Sequence, residues 1–151
     1  MIEHPSARLI LLDPADRLFL FNVHDPGVFD PANPHSDPFW VMIGGFVDPG
    51  EEFADAAVRE AREETGLDVR LEELIDIYSY PGHVPVIIVF AAAPIGGCLA
   101  CDDEGLEARF FEPHEIPWEE LAFRSTREAL ERFLGVSVPG GSEGPPLHSQ
   151  K

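Results

Sequence analysis

Apolar residues in the first half of the chain come in short runs of strand length, punctuated by turn formers. Residues 8–12 (RLILL) and 18–23 (LFLFNV) are two such runs, separated by Asp13-Pro14-Ala15-Asp16. The pattern predicts a β-hairpin. Residues 24–38 contain Pro26, Pro31, Pro34 and Pro38 and no helical period, so they read as a long loop suited to substrate contact or mobility. A strand resumes at 39–43, and residues 46–47 extend it beyond the Gly44-Gly45 break. Further strands are expected at 69–80, 86–92 and 108–111, where Glu112-Pro113 breaks the pattern.

Two segments change to a helical period. The first begins near Glu51 or Glu52 and ends at Gly66, a residue suited to the left-handed position after a helix. The second covers 125–134, with Thr126, Ala129, Leu130 and Phe133 at helical spacing and Gly135 at its end. Gly, Pro and Ser dominate from Val136 onward, which predicts one domain over 1–135 and a disordered, dispensable tail over 136–151. Strands on both sides of one helix, followed by a C-terminal helix, define the fold class as α/β, a sandwich around a mixed sheet.

Composition narrows the partners. Ten Lys and Arg stand against 28 Asp and Glu, a formal net charge of −18. A field of that sign disfavours a nucleic-acid backbone or an anionic membrane, while leaving room for a small phosphorylated ligand where cations screen the acids. Residues 84–101 are uncharged, but Pro85, Pro94, Gly96 and Gly97 interrupt them, so a buried strand leading into a loop is expected and no membrane span. Cys98 and Cys101 form a CxxC without a second ligand pair or a strand-to-helix context, which argues against a zinc or redox site. Residues 1–12 show no basic start followed by a long apolar stretch, and a cytoplasmic location is expected.

Against this background Glu60, Glu63 and Glu64 are unusual. At i, i+3 and i+4 they share one helix face, where like charges repel. With Phe53 at zero on a wheel of about 100° per residue, Ala57, Ala61, Ala54 and Val58 span about 40° to 140° and should face the core. The three glutamates then lie along that sector's border, where a cleft would be. An exposed acidic helix laced with salt bridges is the alternative. An Asp55–Arg59 pair fits it, but the glutamates have too few basic partners. Hard oxygen ligands at such a rim suit Mg²⁺ or Mn²⁺. Gly44 and Gly45 permit a sharp turn and close approach of a carbonyl to a cation. Arg59 can hold a carboxylate through a bidentate contact.

Gly45, Glu51 and the run Arg59-Glu60-Ala61-Arg62-Glu63-Glu64-Thr65-Gly66-Leu67 resemble the signature of the Nudix hydrolases. Trp40 upstream and Glu107-Ala108-Arg109-Phe110-Phe111 downstream fit the flanks, so the resemblance spans most of 7–134. Ala61 replaces a bulky aliphatic, and Ile43 stands where many members carry proline. The resemblance implies a Nudix-type α/β/α sandwich with a mixed β-sheet and a catalytic loop-helix-loop. It implies hydrolysis of a pyrophosphate bond in a nucleoside diphosphate linked to another moiety, with Mg²⁺ as cofactor and Mn²⁺ as an alternative. By position, Glu60, Glu63 and Glu64 would bind metal with the Gly45 carbonyl, and Arg59 would orient Glu51 or a neighbouring glutamate. Glu107 resembles an additional carboxylate that serves some members as metal ligand or base; a surface glutamate is the competing reading.

Tyr80-Pro81-Gly82-His83 follows Leu67 at about the interval where ADP-ribose-cleaving members carry a proline, which favours ADP-ribose or a nucleoside diphosphate sugar. The alternatives are a nucleoside triphosphate pyrophosphohydrolase and a non-catalytic nucleotide sensor. A small nucleotide is the expected partner, and the resemblance is compatible with a homodimer. Arg8 suits a phosphate or one of the many acids. Trp40 and Tyr80 can stack on a base, although core packing is the more common role of such aromatics.

Overall fold

A computed structural model describes residues 5–23, 39–80, 86–99 and 108–138. The predicted loop at 24–38, the segment 81–85, Cys101, Glu107 and residues 139–151 lie outside the described residues. Strands β1 (Ser6–Leu11), β2 (Leu18–Val23), β3 (Phe39–Val41) and β4 (Ile43–Phe46) precede helix α1 (Phe53–Thr65). Strands β5 (Leu67–Tyr78), β6 (Ile87–Gly97) and β7 (Ala108–Phe111) follow, and α2 (Arg124–Leu134) comes last.

The strands form two sheets, ordered β4-β1-β6-β5 and β3-β2-β7. The first is mixed, because β1 and β6 run parallel while its other pairs are antiparallel. Two expected pairings change. The predicted hairpin is reduced to its turn: Asp13 N–H donates to Arg17 O at 3.1 Å and Leu12 bridges Leu18, but β1 and β2 belong to different sheets and do not pair along their lengths. The predicted strand through residue 43 also divides between the sheets, with Met42 at the change, and Gly44-Gly45 lies inside β4 rather than breaking it. In each case one local run crosses from one sheet to the other, which local periodicity cannot reveal. Beyond Ala92, β6 continues through Pro94 to Gly97, pairing among the described residues only with β5. There its other side is an edge, which tolerates a proline.

Alternation along β1 separates two cores. Ala7, Leu9 and Leu11 join Ala56, Ala57 and Ala61 of α1, whereas Ile10 joins Met42, Val89, Ala129 and Leu130 on the α2 side. The result is the expected α/β/α sandwich. Helix α1 ends where Thr65 turns its hydroxyl to Ala61 O at 2.6 Å and Gly66 takes φ +79°. Beyond α2, Val136 and Val138 are hydrogen-bonded back to it, with Val138 N–H donating to Glu131 Oε2 at 2.8 Å. Among the described residues no helix is long and apolar enough to cross a membrane.

Candidate active site

Helix α1 is rotated relative to the expected wheel. Its first three residues, including Ala54, are exposed, while Ala56, Ala57, Ala61 and Thr65 are buried. The buried arc therefore runs from about −60° to 120°, and Glu60 and Glu64, at about −20° and 20°, lie inside it rather than along its border. Glu63 remains at the open margin, its side chain 51% exposed against 17% for Glu60.

Gly45 makes room for this burial. A Cβ built there would lie 2.6 Å from Cδ and Oε1 of Glu60. Its neighbour Gly44, at φ +153°, donates its N–H to Glu64 Oε1 at 2.8 Å. Burial raises the Glu64 carboxyl to about 7, against the opposing pull of that N–H and of Arg8.

Arg59 gathers the other acids. Its Nε and Nη2 donate to Glu51 at 2.8 and 3.0 Å, and its Nη1 donates to Glu60 at 2.9 Å and Glu63 at 2.7 Å. A further bond reaches Phe46 O at 3.1 Å. The Asp55–Arg59 pair is not among these contacts, because Arg59 turns toward the loop instead. Arg59 holds Glu51 at about 2 and is itself raised, chiefly by Glu51.

Among the described residues no three acidic, His or Cys side chains converge as a ready metal cage. Arg59 stands between Glu60 and Glu63, and Glu64 is turned to Gly44. The donor set still suits a hard divalent cation: half-buried carboxylates packed against the Gly44-Gly45 main chain, where any side chain on residue 45 would displace Glu60.

Arg8, Trp40 and Tyr80 come from the opposite, α2 side. Trp40 is only 8% exposed, packed edge-on against Phe111 at 4.9 Å, and so serves as core. Tyr80 carries the Arg124 guanidinium over its ring at 4.7 Å, and Arg124 pairs with Glu128 at 2.6 Å. Arg8 alone of the three approaches the carboxylates. It faces Gly44 across the β1–β4 pair, and β4 is the outer strand of its sheet. Burial lowers the Arg8 pKa, opposed by the field of Glu64 and Glu60. The sequence reading missed Ser6, Phe123 and the Gly44 N–H. Ser6 and Arg8 are two apart on one strand, a detectable signal, but Phe123 arrives only through the tertiary fold.

This loop-helix-loop on an α/β/α sandwich has a recognisable pedigree. The NUDIX domain model matches residues 3–133, and the chain belongs to the Nudix family. It is 43% identical over 96 residues to an ADP-ribose pyrophosphatase of Methanocaldococcus jannaschii, covering 58% of this chain and 55% of that protein. It is 36% identical over 81 residues to a putative 8-oxo-dGTP diphosphatase of Bacillus subtilis, covering 53% and 54%. The chain thus spans about half the length of these relatives. Among solved structures, a NUDIX hydrolase from Nitrosomonas europaea superposes with a TM-score of 0.72 at 26% identity, covering 91% of this chain and 76% of that one.

Proposed function

We propose that this protein hydrolyses the pyrophosphate bond of a nucleoside diphosphate derivative, with ADP-ribose or a nucleoside diphosphate sugar as the preferred substrate. The observation that carries the proposal is the half-burial of Glu60 against Gly45, where any side chain on residue 45 would collide with its carboxylate, and of Glu64 against the Gly44 N–H. Crowding half-buried carboxylates on one helix face is costly, and a cation relieves that cost. Glu60, Glu63, Glu64 and the Gly45 carbonyl would hold Mg²⁺ or Mn²⁺. Bound there, the cation neutralises phosphate charge and activates water. Arg59 fixes Glu51, Glu60 and Glu63 in one network and ties it to the main chain at Phe46. Arg8 and Tyr80 provide polar and aromatic surface for the substrate on the α2 side. Glu107, as a further carboxylate, completes the proposed set.

The likeness to the archaeal ADP-ribose pyrophosphatase supports the substrate preference. The likeness to the putative 8-oxo-dGTP diphosphatase supports a second reading, hydrolysis of a nucleoside triphosphate. A panel of nucleotides with Mg²⁺ separates them. Nucleoside monophosphate released from ADP-ribose supports the first, and pyrophosphate released from a triphosphate supports the second. Tight nucleotide binding without turnover on any member of the panel would leave a sensor and defeat both.

A further inference from the structure

Most arginines of this acidic chain are neutralised at close range: Arg17 by Asp13 at 2.7 Å, Arg62 by Asp68 at 2.6 Å, Arg124 by Glu128 at 2.6 Å. Arg8 differs. Its Nε donates to Ser6 Oγ at 3.2 Å and its Nη1 to Met42 O at 3.2 Å, and no carboxylate pairs with it among the described residues. Phe123 lies with its ring centroid 5.7 Å from the guanidinium carbon. The side chain is therefore fixed on two sides and backed by an aromatic ring. Its remaining N–H donors have no protein acceptor among the described residues, and part of its surface stays open.

Its position is equally specific. The Arg8 stem runs along Gly44, where a Cβ would come within 2.8 Å of Arg8 Cα and Cγ. Gly44 N–H holds Glu64, and Ser6 Oγ, which receives the Arg8 bond, donates in turn to Gly45 O at 3.3 Å. Among the described residues β4 is the outer strand of its sheet, and the field of Glu64 and Glu60 reaches Arg8 there.

A partly enclosed cation without an anionic partner is costly unless one arrives. We propose that Arg8 is a substrate-binding residue whose unoccupied N–H donors take phosphate oxygens of the nucleoside diphosphate, with Ser6 and Phe123 holding its guanidinium in place. The inference rests on the proposed pyrophosphohydrolase reading. It assigns the grip on the anion to the α2 side of β4 and leaves the cation to the α1 side.

Calorimetric titration of ADP with Mg²⁺, together with kinetics on ADP-ribose, tests it. Arg8→Gln is expected to weaken ADP binding about tenfold or more, the worth of one charge-assisted contact, and to raise KM more than it lowers kcat. Mn²⁺ binding to the nucleotide-free variant should not weaken, since a cation near Glu64 has been removed. Arg8→Lys keeps the charge and stem and serves if Arg8→Gln unfolds; it should lose affinity through loss of the fork. Ser6→Ala should lose less, in the same direction. If wild type binds ADP and the well-folded variants bind it equally, Arg8 has no such role and the hydrolase reading stands. If wild type neither binds ADP nor cleaves any nucleoside diphosphate derivative, both fall.

Discussion

Arg59 grips both carboxylate oxygens of Glu51, at 2.8 and 3.0 Å, and so locks the loop before α1 onto the helix's own second turn. The same guanidinium reaches Glu60 and Glu63, so loop geometry and carboxylate geometry are set by one side chain.

That clamp makes stability depend on acid. Glu51 titrates near 2 in the fold, below its usual 4.5. Its contribution is fully present above the unfolded value and is lost as pH falls through about 2. Denaturant titrations of the metal-free protein should show the midpoint falling as pH drops from about 4.5 to about 2. Glu51→Gln should flatten that fall; an unchanged slope would remove Glu51 from the account.

Glu64 has the opposite sign. Its raised value, about 7, means that the folded state holds a proton which the unfolded state releases near 4.5. Metal-free stability should therefore decline as pH rises from about 4.5 through 7, and divalent cation should restore it. Glu64→Gln should remove this decline and still nearly abolish turnover on the best substrate of the panel. A Mg²⁺-dependent, active Glu64→Gln protein would refute its assigned role.

The adjacent glycines should fail differently. A methyl at Gly45 meets the end of the flexible Glu60 side chain, so Gly45→Ala should fold while losing most activity. A methyl at Gly44 meets Ala7 O at 2.5 Å and Arg8 Cα at 2.8 Å, both main chain, at a φ of +153°. Gly44→Ala should cost about 2 kcal/mol or more of stability by the strain of overpacking. Thermal melts beside activity assays distinguish the two; equal stability loss would contradict the contact geometry.

Ala61 is fully buried where α1 lies against the first sheet. Ala61→Leu should lower stability by about 1–3 kcal/mol, since the small residue sets the helix-to-sheet approach. A denaturation midpoint equal to wild type would show that the layer has slack.

The helices and most strands were legible because their signals are local. Gly66 and Gly135 stop α1 and α2 where expected, and residues 108–111 form the predicted strand. Sheet membership was not legible, since β1–β2 and β3–β4 look like continuous or hairpin-linked runs until their partners are known. The wheel erred for a related reason. Ala54 has the right phase to be buried, but nothing in the periodicity says that residues 53–55 stay exposed.

The spacing of Gly45, Glu51, Arg59, Glu60, Glu63 and Glu64 already specified the family and its acidic helix, because those residues lie within one loop and one helix and act at short range. Tertiary structure alone decided which carboxylates are buried, that Arg59 binds Glu51 rather than Asp55, that Trp40 is core, and that Arg8 reaches the sheet edge beside Gly44 with Phe123 behind it. Those outcomes depend on how the layers stack and on which strand forms the edge, and long-range packing sets both.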